Sequence, residues 1–285
     1  MSTATLSPVP SPAAAPAPAR PGRIRRSTSD AWALALRVLL YYKNSPGLVG
    51  VSLAAPLAML VVFGYVFGSA IQAPGGQDYR SYLIPGLFVL IAVNGVMPSM
   101  VGAARDLDRG MTDRLRTMPI SRSAALLGQA LADLLVSAVV LAAMVGVGLA
   151  VGWRVHDGFG KAAAGLALLL LLRFAMVWLG FFAGVLCGRE EIAAQAGLLV
   201  FPIGMVSNVF VPIGGMPGWL RAIAEWNPVS TVAAACRSLF GDAVGPAPTS
   251  PWPLAHPVQA TVGWCVLLLV VFAPLAVRRF STHGR

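Results

Sequence analysis

The chain has 285 residues, of which 57% are hydrophobic and only 11% charged, with 30 glycines and 22 prolines. A soluble domain of this length carries far more charge, so the composition excludes one and indicates an integral membrane protein. The net charge of +10 could serve a nucleic acid, but the basic residues lie in patches between apolar runs, as they do in membrane proteins, and nucleic acid drops out as a partner.

Residues 1–28 are mostly Ala, Pro and Ser with a basic end. They are too poor in bulky apolar groups to build a core and lack the unbroken apolar run of a signal peptide, which reads as a disordered tail. Ser29-Asp30 can cap a helix that Asn44-Ser45-Pro46-Gly47 ends. Too short and too charged to span, residues 29–45 suit an amphipathic helix in the membrane interface, with Trp32, Tyr41 and Tyr42 at headgroup depth. The other reading is an early start to the first span.

Six apolar stretches follow, at 47–70, 83–103, 123–152, 161–187, 192–213 and 258–277, each long enough to cross a hydrocarbon core at about 1.5 Å per residue. The second contains Asn94-Gly95 and Pro98, features tolerated at membrane depth where neighbouring helices satisfy the loosened backbone. Between the second and third lies a polar stretch, 106–120. From Gly110 onward Met111, Leu115 and Met118 share one helical face, with Asp113 and Arg116 able to pair opposite, until Pro119 stops the helix. Such an element suits docking of a water-soluble partner; the alternative is a solvated loop that obeys the positive-inside rule. The turn Gly188-Arg189-Glu190-Glu191 precedes the fifth span. After that span, residues 214–241 hold two helices too short to cross, which predicts a re-entrant pair on the outer side. Most of the 21 basic residues fall on one side if six spans alternate, and both termini then lie in the cytoplasm.

Chemistry is sparse. Gly158-Phe159-Gly160-Lys161 brushes a phosphate-loop pattern, but Val155 and Ala162 stand where its first glycine and Mg-binding hydroxyl belong. His156, His256 and His283 are isolated, as are Cys187, Cys236 and Cys265, so no metal or cofactor of the chain's own is expected. Two ionisable residues sit at membrane depth, Asp133 and Arg173. Each costs about 3 kcal/mol alone at a helix centre, and their depths differ by only about 7 Å, within an arginine's reach. Pairing is one reading; Arg173 lining a cavity or snorkelling along its helix are the others. With Asn94 and Asn208 these form the intramembrane polar candidates.

Three stretches resemble the integral membrane subunit of type 2 ABC transporters, particularly the daunorubicin-resistance-type exporters. They are Gly110, Asp113-Arg114, Arg116, Pro119-Ile120-Ser121-Arg122, Gly128 and Ala132-Asp133; then Phe201-Pro202, Ser207-Asn208, Phe210 and Pro212 on through Met216-Pro217-Gly218-Trp219-Leu220; then Asn227-Pro228 with Arg237 and Leu239. The resemblance covers most of 30–280 and implies an all-α bacterial cell-membrane protein with six transmembrane helices, an N-terminal interfacial amphipathic helix and short outer re-entrant helices. It implies a homodimer, and two copies of a separate ABC ATPase that carries ATP and Mg. Those copies would dock on a coupling helix containing Gly110, Met111, Asp113, Arg114, Leu115, Arg116 and Met118, with Glu190 and Glu191 at a second, shorter contact. The implied cargo is a hydrophobic, drug-like compound, with a lipid or lipid-linked glycan as the alternative. An embedded enzyme or a passive channel is a more distant one. Arg173 matches no family role, and Glu190-Glu191 departs from the pattern.

Overall fold

A computed structural model describes residues 46–66, 78–109, 122–242 and 251–282, and these are helical almost throughout. The expected tail and interfacial helix (1–45) lie outside them, as does 110–121, which holds most of the expected coupling helix. Among the described residues, four helices are long and apolar enough to cross a membrane: Tyr79–Asp108, Leu126–Ala150, Phe159–Cys187 and Pro257–Arg279. A shorter one, Leu53–Val66, precedes them.

In chain order, α1 (Pro46–Val61) runs into a π-turn, Val62–Val66. The second span is two helices, α2 (Tyr79–Val93) and α3 (Val96–Asp108), with the turn Asn94-Gly95 between them. Asp78 caps its start by accepting from the Arg80 N–H at 3.1 Å. The span continues to Asp108, beyond its expected end at 103. Residues 106–108, expected to open a separate coupling helix, are instead the last turn of this one, because Asp106 is half-covered and Leu107 packs inward. Next come α4 (Arg122–Ala150) and α5 (Phe159–Cys187). Gly188 ends α5 at φ +68, a backbone conformation that side-chain-bearing residues rarely adopt.

The expected fifth span, 192–213, is not one continuous helix. It divides into α6 (Glu190–Gly197) and α7 (Val200–Met205), and residues 206–212 then leave the helix. Pro202 has no N–H for the Leu198 carbonyl, and Leu198 and Leu199 bond three residues back instead of four. The short helices α8 (Gly218–Trp226) and α9 (Pro228–Phe240) follow, then α10 (Trp252–Ala255) and α11 (Pro257–Thr282).

α5 is the central column, with α3 and α11 as its most extensive neighbours and α4, α2 and α9 also against it. The main core joins α2, α4, α5 and α9 around Phe88, Leu169, Leu172 and Phe240. A second core at the other end joins Ala103, Leu126, Phe181, Val185 and Ala276. On α11, Val262, Val266, Leu267 and Val270 face outward, as apolar side chains do against lipid.

Candidate functional site

The described polar groups concentrate at two helix breaks and at the end of the bundle that carries Arg105, Arg109 and Glu190.

The first break is residues 206–212, whose carbonyls have lost their helical donors and lie in apolar surroundings where each would be costly unpaired. Side chains from three elements supply the donors. Asn227 Nδ2 donates to Val206 O at 2.6 Å. The Tyr82 hydroxyl donates to Asn208 O and that of Tyr79 to Phe210 O, both at 2.6 Å. Arg237 Nη2 donates to Asn208 O and Val209 O, and its Nε to Tyr82 O at 2.9 Å. The Arg237 guanidinium also lies over the Tyr82 ring, 3.6 Å from its centroid. Gly86 makes room for this, since a Cβ there would stand 2.9 Å from Val209 Cγ1 and 3.3 Å from Arg237 Nη2. Asn208 is itself buried, its N–H donating to Ser230 Oγ at 3.0 Å.

The second break is Asn94-Gly95 in the second span. Asp133 and Arg173, which the depth argument brought within reach of each other, meet here in a bidentate pair: Nε to Oδ2 at 2.7 Å and Nη2 to Oδ1 at 2.8 Å. The third guanidinium nitrogen, Nη1, donates to Ile91 O at 3.1 Å. That carbonyl is free because the Gly95 N–H turns to Ala92 O. Asn94 itself is exposed, so of the four intramembrane candidates Asp133 and Arg173 come together, Asn208 belongs to the first break, and Asn94 only marks the joint.

At the charged end, Glu190 accepts from Arg105, Nη2 to Oε1 at 2.8 Å, and lies 3.8 Å from Arg109. It thus ties the end of the second span to α6, whereas Glu191 is exposed. Gly110, Met111, Asp113, Arg114, Leu115, Arg116 and Met118 lie outside the described residues. At the opposite end, the buried Asp242 accepts from the Trp153 indole at 2.8 Å and faces His156 Nδ1 at 3.4 Å. His156 is therefore no isolated loop histidine. Burial pushes the Asp242 carboxyl above its ordinary value, opposed first by the indole N–H and then by His156 and Arg237.

Counting charges within the apolar runs missed Arg237, because it stands in a helix too short to span; the signal available was its place in the Asn227-Pro228 to Leu239 motif. Among the described residues no group of His, Cys, Asp and Glu could hold a metal ion.

Long apolar helices whose breaks are closed by side chains define a polytopic α-helical membrane protein. The model of the ABC-2 type transporter family matches residues 30–240, and the chain belongs to that family. It is 29% identical over 268 residues to the daunorubicin resistance ABC transporter permease protein DrrB1 of Streptomyces coeruleorubidus, covering 94% of this chain and 90% of that one. It is 24% identical to the probable doxorubicin resistance ABC transporter permease protein DrrC of Mycobacterium tuberculosis, over 81% of this chain and 82% of that one. A putative transport permease, ycf38, of the alga Pyropia yezoensis is 25% identical over 73% of this chain and 72% of its own length.

Proposed function

We propose that this chain is the membrane subunit of an ATP-driven exporter that moves hydrophobic, drug-like compounds out of the cytoplasm or the inner leaflet. It works as a homodimer with two copies of a separate ABC ATPase, which bind the ATP and Mg. The observation that carries this reading is similarity along nearly the whole chain to permeases named for daunorubicin and doxorubicin resistance. Both termini lie in the cytoplasm, and the ATPase docks on 110–118 through Met111, Leu115 and Met118, with Asp113 and Arg116 on the polar face and Gly110 and Arg114 in the same element. The Arg105–Glu190 contact lies just before that element in the chain and ties the end of the second span to α6. Closure of the ATPase dimer then tilts the spans and opens the cargo path outward.

The test is co-expression with the ATPase that co-purifies with it, in a drug-sensitive host, scored by daunorubicin efflux. Efflux that needs both proteins and ATP supports the reading. Leu115→Asp should abolish co-purification while membrane insertion persists; ATPase binding and efflux unchanged in that variant would remove 110–118 as the docking element.

A further inference from the structure

The two halves of the second span both pack on α5 but differ in their closest contacts. α3 lies backbone to backbone against α5: a Cβ on Gly180 would come within 2.5 Å of the Val96 carbonyl, and one on Gly184 would collide with the Met100 carbonyl. A Cβ on Gly197 of α6 would stand 2.8 Å from Met97 Cγ, and Glu190 holds Arg105. α3, α5 and α6 therefore form one closely packed unit. α2 is fastened instead to the unwound 206–212 segment through Tyr79, Tyr82 and Arg237. Any motion that starts beyond Asp108 and ends at 206–212 along this span must cross Asn94-Gly95.

At that joint sits Arg173. A Cβ on Gly95 would meet its Nε at 2.5 Å and its Cζ at 2.6 Å, so the guanidinium fills the space a side chain would need. Asp133 of α4 fixes one edge of the plane with two bonds, and Ile91 O of α2 takes the third nitrogen. Neutralising a buried charge needs Asp133 alone. The bond to the freed carbonyl and the fit at Gly95 go beyond that need, and they make a rigid planar group sensitive to the angle between α2 and α3.

We infer that Arg173 is a positioning residue for transport: wedged in the Asn94-Gly95 break and oriented by Asp133, it sets the angle between the halves of the second span and passes motion from the 110–118 side to the 206–212 segment. This rests on the exporter reading above, but its first test does not. Nitroxide labels at the exposed positions 78 and 108, with Cys187, Cys236 and Cys265 replaced by Ala, report the angle in the full-length chain in nanodiscs. The wild-type distance distribution should be narrow. It should shift or broaden in Asp133→Asn, in Gly95→Ala, and in the charge-free pair Asp133→Leu with Arg173→Met, which keeps the site filled without a buried unpaired charge. In proteoliposomes with the co-purified ATPase and daunorubicin as probe, that pair should raise the ATP hydrolysed per drug molecule moved by roughly fivefold or more, with ATPase binding retained. Arg173→Lys should restore the charge but not the coupling. Wild-type distances and wild-type coupling in the charge-free pair overturn the inference; should that pair fail to insert, Gly95→Ala and Arg173→Lys are judged by the same two criteria. Absence of ATP-dependent daunorubicin movement in the wild type would count against the exporter reading, while the distances alone would still decide the joint.

Discussion

Arg173 and Arg237 are both nearly covered by apolar helices, yet the chain holds them by opposite means. Arg173 has a carboxylate, Asp133, and spends only one bond on the backbone. Arg237 has three bonds to main-chain carbonyls and the face of Tyr82, with no carboxylate among these contacts. Removing the first pair together leaves one carbonyl to resettle. Removing the second arginine takes a donor from Tyr82 O, Asn208 O and Val209 O and leaves Val209 O without a side-chain donor, and no side-chain substitution takes those carbonyls away. As far as stability goes, the first cation answers mainly to another side chain and the second to the main chain, so the first should be the more replaceable by hydrocarbon.

The sharpest way to break this contrast is Arg237→Met. It should cost on the order of 4 kcal/mol, with no apolar partner change rescuing it, as read by chemical or thermal unfolding in detergent. Tolerance of Arg237→Met would put both arginines in the same class. Asp133→Asn comes next, at about 3 kcal/mol. Here the double change Asp133→Leu with Arg173→Met should recover most of the loss, giving a coupling energy of about 2 kcal/mol in a double-mutant cycle; strict additivity would deny that the two residues act as a pair. Gly86→Ala pushes a methyl toward Val209 beside Arg237 and should cost about 1–3 kcal/mol, seen as a lowered melting temperature with the fold intact. Glu190→Gln is smallest, under about 1 kcal/mol and diminished further by salt, because Arg105 and Glu190 are partly solvated.

A fifth expectation concerns pH. The folded chain holds the Asp242 proton more tightly than the unfolded chain does, since burial raises that carboxyl. Stability should therefore fall as pH rises from the ordinary carboxylate value through the raised one, and Asp242→Asn should flatten that slope. A wild-type slope retained in the Asn variant would assign it to other groups.

Hydropathy placed the long helices well, because a run of apolar residues at fixed rise per residue leaves few alternatives. It placed α4, α5 and α11 to within a few residues of their observed ends. Depth counting also brought Asp133 and Arg173 within reach of each other, since each was too costly alone. The fifth apolar run departs from one continuous helix for a physical reason: Phe201-Pro202-Ile203 is as apolar as any crossing segment, and hydropathy cannot see that Asn227, Tyr82 and Arg237 will compete for its carbonyls and those just beyond. The Ile91 carbonyl was equally hidden. Asn94-Gly95 announced a weak point, but nothing in the order of residues says that Arg173, some eighty positions away, would occupy it.

The donors gathered on 206–212 also set this break apart. Unwound helix segments in many secondary transporters present bare carbonyls that strip water from a sodium ion and so couple cargo to an ion gradient. Here the carbonyls of Val206, Asn208, Val209 and Phe210 already accept from Asn227, Tyr82, Arg237 and Tyr79, and the Arg237 guanidinium itself brings the positive charge to two of them. The break therefore differs from those sites in kind: its carbonyls are engaged by the protein's own donors, and they serve to fasten α2 and α9 to the segment.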